Sequence, residues 1–377
     1  RHYKLLKKIK FNIPTLDQQK IIVSKLDIIM NEIDIKQTNG TVVITLQRER
    51  VLNALNLNMV REIYKKIYDW EADESVSGVL IKGSGEKAFC AGGDIVQVYH
   101  ARNELNNNIS DTFFREEYLL NYAISKFKKP WVSILNGIAM GGGLGLSVHG
   151  SHRIVTERTI TAMPETAIGL FPDVGGGYFL SRMKNSLGKY IAITGNTLDY
   201  QDTIYCGIGT NIIKNSDLDK FIESLLDQRK YDEITINSLI KEFEKSTSFK
   251  SNLNNEENLI NKYFSQESMI QVYQALKEDD SDWAKKTLAI INKKSPTSMT
   301  IAFEQIKRSA ELSLKDCLAM EFRICQAMMS KHDFYEGVRA NLVDKDRKPV
   351  WSPLHIKEIS EEIISEHFKH LGNKELF

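Results

Sequence analysis

The sequence predicts an α/β core followed by a helical C-terminal region. Strand-like and helical segments alternate as far as residue 157, which calls for layered strands joined by crossovers. An apolar run, Trp131 to Leu135, leads into three consecutive glycines at 141–143 and out into small helical residues, a strand–turn–helix pattern. Beyond about residue 215 the strand signal disappears and helical stretches follow, with polar joins near 244–258 and 277–282. The expected divisions are a helical extension over 1–35, a core over 36–215 and a helical region over 216–377. No internal repeat or long low-complexity segment is evident.

Taken in order, Pro14-Thr15-Leu16-Asp17-Gln18 reads as a capping box, and Ile22, Leu26, Ile29, Met30 and Ile33 recur after it at helical spacing. Thr41–Leu46 is a strand. Asn53-Ala54-Leu55-Asn56 leads into a helix that runs to about Trp70, with Met59, Ile63, Ile67 and Trp70 on one face. Val79–Lys82 is the next strand, and Ala88 to Ile95 a second glycine-containing turn into a helix. Phe113–Phe127 reads as a helix that Lys128-Lys129-Pro130 ends. Arg153–Thr156 is a further strand; Val174–Met183 and Lys189–Thr194 look helical.

Fifty Lys and Arg against 49 Asp and Glu leave a formal charge of +1 over 377 residues, so no electrostatic case arises for a nucleic-acid partner. The longest apolar runs fall far short of the ~20 residues a membrane span needs. Cys90, Cys206, Cys317 and Cys325 show no metal or C-x-x-C spacing and read as free thiols. His149 and His152 stand three apart with no third ligand type beside them, so no metal is expected. Residues 1–16 carry Arg1, Lys4, Lys7, Lys8 and Lys10 and no acid, as the tail of a mitochondrial presequence would, but only one arginine and no serine.

Chemistry concentrates in residues 137–177. The first amides of a helix have no intrahelical acceptor, and glycines let a ligand approach them, so the triple-glycine turn suits an anion or a developing oxyanion. Two carboxylates follow, Glu165 after Pro164 and Asp173 after Pro172. The plainer alternatives are tight turns for the glycines, a surface glutamate for Glu165 and a helix N-cap for Asp173.

Ala88-Phe89-Cys90-Ala91-Gly92-Gly93-Asp94, Gly137-x-x-Met140-Gly141-Gly142-Gly143 and Met163-Pro164-Glu165-x-x-x-Gly169 resemble the crotonase (enoyl-CoA hydratase/isomerase) superfamily. The stretch from Met163 to Gly177, and His332 to Ala340, are similar to its 3-hydroxyisobutyryl-CoA hydrolase branch, a likeness covering roughly residues 36–377. The resemblance implies a crotonase-like fold of stacked ββα units. It implies an oxyanion hole for a thioester oxygen made by the amides of Ala91 and Gly142, with Glu165 at the acyl centre. It also implies that Asp173 and Glu117 contact substrate and that Asp94 lies near the CoA adenine; for Glu117 the alternative is a solvated helix face. Two departures stand out. Hydratases carry their first glutamate three residues after the oxyanion glycine, where this chain has Gly145, and Asp173 stands where they typically have glycine. Losing one of two acid–base groups costs a hydratase about 10²–10⁴ in rate. The proline common after Arg48 is Glu49 here, which bears on the shape of that loop.

The expectation is therefore an acyl-CoA thioesterase that releases 3-hydroxyisobutyrate and CoA in valine breakdown. It would sit in the mitochondrial matrix and need no cofactor beyond the CoA of its substrate. Glu165 would act as nucleophile or as general base. The alternatives are a hydratase or isomerase, or a non-catalytic CoA- or RNA-binding protein of the same fold.

Overall fold

A computed structural model describes residues 32–102, 109–228, 231–244 and 250–377. The expected helix over residues 15–33 lies outside these except at its end. There Ile33–Thr38 is a strand, β1, antiparallel to β2 (Thr41–Leu46) across an Asn39-Gly40 turn with both residues at positive φ. Asn56 caps α1 (Leu57–Ala72) by accepting the Met59 amide, and the helix buries the expected stripe of Met59, Ile63, Ile67 and Trp70.

Three strand pairs follow. β3 (Gly78–Gly83) passes into β4 (Ala88–Cys90) and then into the helices α2 (Ile95–Ala101) and α3 (Ile109–Lys126). β5 (Trp131–Leu135) passes into β6 (Ile138–Met140) and a one-turn helix α4 (Gly142–Gly145). β7 (His152–Val155) passes into β8 (Ile160–Ala162) and a 3-10 turn, Glu165–Ile168. The first member of each pair joins a six-stranded sheet ordered β1-β2-β3-β5-β7-β9, with β9 at Asn211–Ile212. The second joins a three-stranded sheet ordered β4-β6-β8. All pairings except β1–β2 are parallel. Consecutive units thus stack with their connecting turns side by side, which brings the ends of β4, β6 and β8 to one place.

The large sheet is covered on both faces, as parallel sheets are, and that explains its continuous apolar runs. Val79, Ile81, Trp131 and Leu135 enter the main core. Their neighbours Leu80, Val132, Ile134 and Ile154 point the other way, against Phe221, Leu225, Ile236 and Ile240. In sequence, α5 (Gly176–Ser181), α6 (Leu187–Thr194) and α7 (Tyr200–Tyr205) fall between β8 and β9, with Leu180, Leu187 and Ile191 in the main core. The outer cover is α8 (Asn215–Leu226) and α9 (Glu233–Phe243), each large side chain contributing about 1.5–3 kcal/mol on burial.

Beyond Asn215 the described residues hold helices and no strand. These are α10 (Asn252–Phe264), α11 (Met269–Glu278), α12 (Asp282–Ile291), α13 (Pro296–Ser309), α14 (Leu314–Met329), α15 (His332–Val338) and α16 (Glu361–His367). The polar stretch expected as a join over 244–258 ends sooner, because Ser251 accepts the Asn254 amide and starts α10. α13 and α14 pack on α5, and α15 packs on α2 and on the Glu165–Ile168 turn.

Candidate active site

The β4 turn is fixed by pairing with the chain before α1. The Ala91 amide donates to Leu52 O at 3.0 Å, Leu55 N–H donates to Gly92 O at 2.8 Å, and Asp94 N–H donates to Leu55 O at 2.8 Å. Asn53 holds this loop by donating to Ala88 O at 2.9 Å and to Ser84 O at 3.0 Å, with Glu49–Val51 forming one 3-10 turn. Gly92 has φ +115°, and the next amide, Gly93, has no acceptor among the described residues. The β6 turn is fixed at Gly141, whose amide donates to Ala162 O at 3.3 Å and whose φ is +47°. The Gly142 amide, first of α4, also has no acceptor there.

A Cβ placed on Gly142 would lie 3.1 Å from Gly93 N and 2.5 Å from Glu117 Oε1, and one on Gly92 would lie 3.8 Å from Gly142 N. Two free amides and a carboxyl therefore meet at a spot that only glycine at 142 leaves open. This departs from the expected donor pair: the Gly142 amide is free, but the Ala91 amide is consumed inside the turn, and the free amide that lies beside residue 142 is that of Gly93.

A cavity of about 270 Å³ joins these turns to the carboxylates, its lining including Ala91, Gly93, Glu117, Gly142, Glu165 and Asp173, with Ile95, Phe114 and Leu170 as its apolar wall. Glu165 opens the 3-10 turn after Pro164; it is 6 % exposed, so it is no surface glutamate, and its Oε2 has no partner. Its Oε1 lies 2.8 Å from where a Cβ on Gly141 would be. Glu117, on α3, is 2 % exposed and its Oε1 is likewise unpaired, which rules out the solvated-face reading. Asp173 does not cap α5, whose N-cap is Gly175; its Oδ2 instead accepts the Tyr118 hydroxyl at 2.8 Å. Tyr118 was not legible as a site residue. It follows Glu117 directly on α3 and is held edge-on by Phe114 and Phe322.

Three buried carboxyls facing one cavity cannot all ionise freely. Burial pushes Glu117 and Glu165 well above the usual carboxylate range, and the charge of Asp173 pushes both further. Burial raises Asp173 to about 7 against the pull of the Tyr118 hydroxyl. Lys294 works in Glu165's favour from behind the turn, its own ammonium lowered to about 8 by burial.

Asp94 does not line this cavity. Its carboxylate caps α2 through the Gln97 amide at 3.2 Å and pairs with Arg48 at 2.9 Å. His149 and His152 part company as well, His149 Nε2 bonding Val174 O at 2.7 Å and His152 bonding Ser151 and Asn237. At Gly145 a Cβ would lie 2.7 Å from Val174 Cβ and 2.8 Å from Asn121 Nδ2. The place from which a hydratase projects its first glutamate is filled.

A family model described as enoyl-CoA hydratase/isomerase matches residues 41–368. The chain is 44 % identical over 346 residues to the mitochondrial 3-hydroxyisobutyryl-CoA hydrolase of Gallus gallus, covering 91 % of this chain and 90 % of that protein. It is 43 % identical over 349 residues to the same enzyme of Homo sapiens, covering 92 % and 90 %. Among solved structures, a carnitinyl-CoA dehydratase from Mycobacterium thermoresistibile superposes with a TM-score of 0.86 at 32 % identity, covering 92 % of this chain and 99 % of that one. An enoyl-CoA hydratase from Rhodobacter sphaeroides 2.4.1 does so at 0.85 and 30 %, covering 92 % and 100 %.

Proposed function

This chain belongs to the enoyl-CoA hydratase/isomerase family, and we propose that within it the protein hydrolyses 3-hydroxyisobutyryl-CoA to 3-hydroxyisobutyrate and coenzyme A. The observation that carries this reading is the convergence of two acceptor-free amides, Gly93 and Gly142, with three buried carboxyls in one cavity. The thioester oxygen accepts both amides, which strengthen their hold as charge gathers on it; one such donor is worth about 3–4 kcal/mol in the transition state. Glu165 is the reacting carboxylate. It attacks the carbonyl carbon to give an anhydride that water opens, or it takes a proton from the water that attacks. In either route the carbon–sulfur bond breaks, and the thiolate takes a proton from the carboxyl cluster, which burial keeps partly protonated near neutral pH.

Asp173 accepts the hydrogen bond of the substrate's 3-hydroxyl, and Glu117 lies beside the Gly142 amide on the acyl side. The reaction asks for no group besides the CoA of the substrate. The relatives are named as mitochondrial, which supports a place in the mitochondrial matrix; a role in valine breakdown belongs to this reading through the proposed substrate alone. Water addition to an enoyl-CoA is the competing reading, favoured by the likeness to the Rhodobacter sphaeroides enoyl-CoA hydratase and opposed by the filled space at Gly145. A thiol reagent decides between them. Rapid thiol release from 3-hydroxyisobutyryl-CoA, with no loss of enone absorbance from crotonyl-CoA, is expected. The reverse pattern overturns the assignment.

A further inference from the structure

Asp173 lies in irregular backbone that local sequence does not hold. Val174, a β-branched residue, has φ +52°, a left-handed conformation that costs such a side chain on the order of 1–3 kcal/mol, and Gly175 follows at +84°. The restraint comes from elsewhere. Glu321, on α14, is 0 % exposed and accepts the Gly175 amide at 2.7 Å and the Gly177 amide at 2.8 Å. Gln305, on α13, donates from one Nε2 to Glu321 Oε1 at 3.1 Å and to Pro172 O at 2.7 Å. The residue before Asp173 and the residues two and four after it are thus pinned to the C-terminal helices, while His149 Nε2 donates to Val174 O at 2.7 Å.

Packing alone does not call for a carboxyl at 321. No lysine or arginine pairs with it among the described residues, burial pushes it up to about 8, and an apolar side chain would fill the space more cheaply. What a carboxyl supplies, and an apolar group cannot, is two acceptor oxygens at the spacing of the 175 and 177 amides. The segment also crowds any larger residue at 177, where a Cβ would run into Ser309 Oγ and lie 3.0 Å from Glu321 Oε1 and 3.2 Å from Gln305 Nε2.

We propose that Glu321, with Gln305, is a positioning residue that sets the Asp173 carboxyl against the acyl pocket, so that the C-terminal helices take part in reading the substrate. This rests on the assignment of Asp173 to the 3-hydroxyl. Displacement of a positioned group by about 1 Å can cost 10²-fold, so a partial release costs roughly tenfold. Glu321→Gln keeps the shape but offers one good acceptor in place of two.

The test compares kcat and KM on 3-hydroxyisobutyryl-CoA and on isobutyryl-CoA, which lacks the hydroxyl, for the full chain carrying Glu321→Gln, Asp173→Asn or both. The expected result is a preference for the hydroxylated substrate reduced about tenfold in Glu321→Gln and changed less than about twofold when Glu321→Gln is added to Asp173→Asn. A brace that is merely structural would slow both substrates alike and add its loss in either background; that outcome overturns the proposal. Should Glu321→Gln not fold, Gln305→Met, which removes the donor to both Pro172 and Glu321, must give the same shift. If Asp173→Asn behaves as wild type on both substrates, the assignment of Asp173 falls and the positioning role with it. If Asp173→Asn loses the preference and neither Glu321→Gln nor Gln305→Met does, the positioning role alone falls.

Discussion

Replacing Asp173 by asparagine should cost activity and add stability at neutral pH. The carboxyl titrates near 3.8 when exposed and at about 7 in the folded chain, a rise caused mainly by burial. An acid whose folded pKa is raised binds its proton more tightly in the folded state. Its contribution to stability is therefore complete below about pH 4 and is lost as pH climbs toward 7. Three units at 1.36 kcal/mol each make that loss about 4 kcal/mol by pH 7.5. Asparagine keeps an oxygen for the Tyr118 hydroxyl but carries no charge, so the loss does not occur. With about 2.1 cal/mol/K of unfolding entropy per residue, 4 kcal/mol moves the melting midpoint of a chain this long by about 5 °C. Removing that charge also lets Glu117 and Glu165 fall back toward the ordinary range, because it is a cause of the rise in each. The assay is urea unfolding of wild type and Asp173→Asn between pH 5 and 8. The expected outcome is a curve flatter by up to about 1.4 kcal/mol per pH unit between 5 and 7, with the variant more stable at 7.5. A variant that is less stable at pH 7.5, or two parallel curves, would refute the charge cluster as described.

Glu165→Gln should fold and bind acyl-CoA yet lose more than about 10³ of kcat, since among the described residues Glu165 alone brings a carboxyl against Gly141; near-normal thiol release would remove Glu165 from the chemistry. Gly142→Ala should lose about 10²–10³ in kcat, because its Cβ enters the space between Gly93 N and Glu117 Oε1, and full activity would show that the oxyanion is held elsewhere. Gly145→Glu should gain no hydration of crotonyl-CoA and should destabilise the fold by about 1–3 kcal/mol or more, Val174 and Asn121 occupying the site; unfolding midpoints and enone absorbance check both halves.

Much of this was readable in advance because it rests on local chemistry. The runs at 41–46, 79–82 and 131–135 were visible as strands, and Met59, Ile63, Ile67 and Trp70 as one face of an amphipathic helix, since periodicity acts within a few residues. Glu165 and Asp173 stood out as carboxylates after prolines, Glu117 and the Gly142 amide came from the family resemblance, and all four line one cavity. What was missed depends on distant partners. Ile33 continues the spacing of Ile29 and reads as helix until β2 claims it as a strand. The three-residue strands β4, β6 and β8 are too short to show a period. Leu52 O takes the Ala91 amide and leaves that of Gly93 free, and nothing near residue 91 announces that. Glu321 meets Gly175 across 146 positions of sequence.

The filled space at Gly145 has a bearing on how such catalysts diverge. An acid placed there meets two neighbours, Val174 and Asn121, which must shrink or move before the new side chain is tolerated. Val174 is tied to the backbone turn that carries Asp173, so making room perturbs the present reaction before any other begins. A single replacement at 145 is therefore opposed by crowding before any new chemistry can be selected.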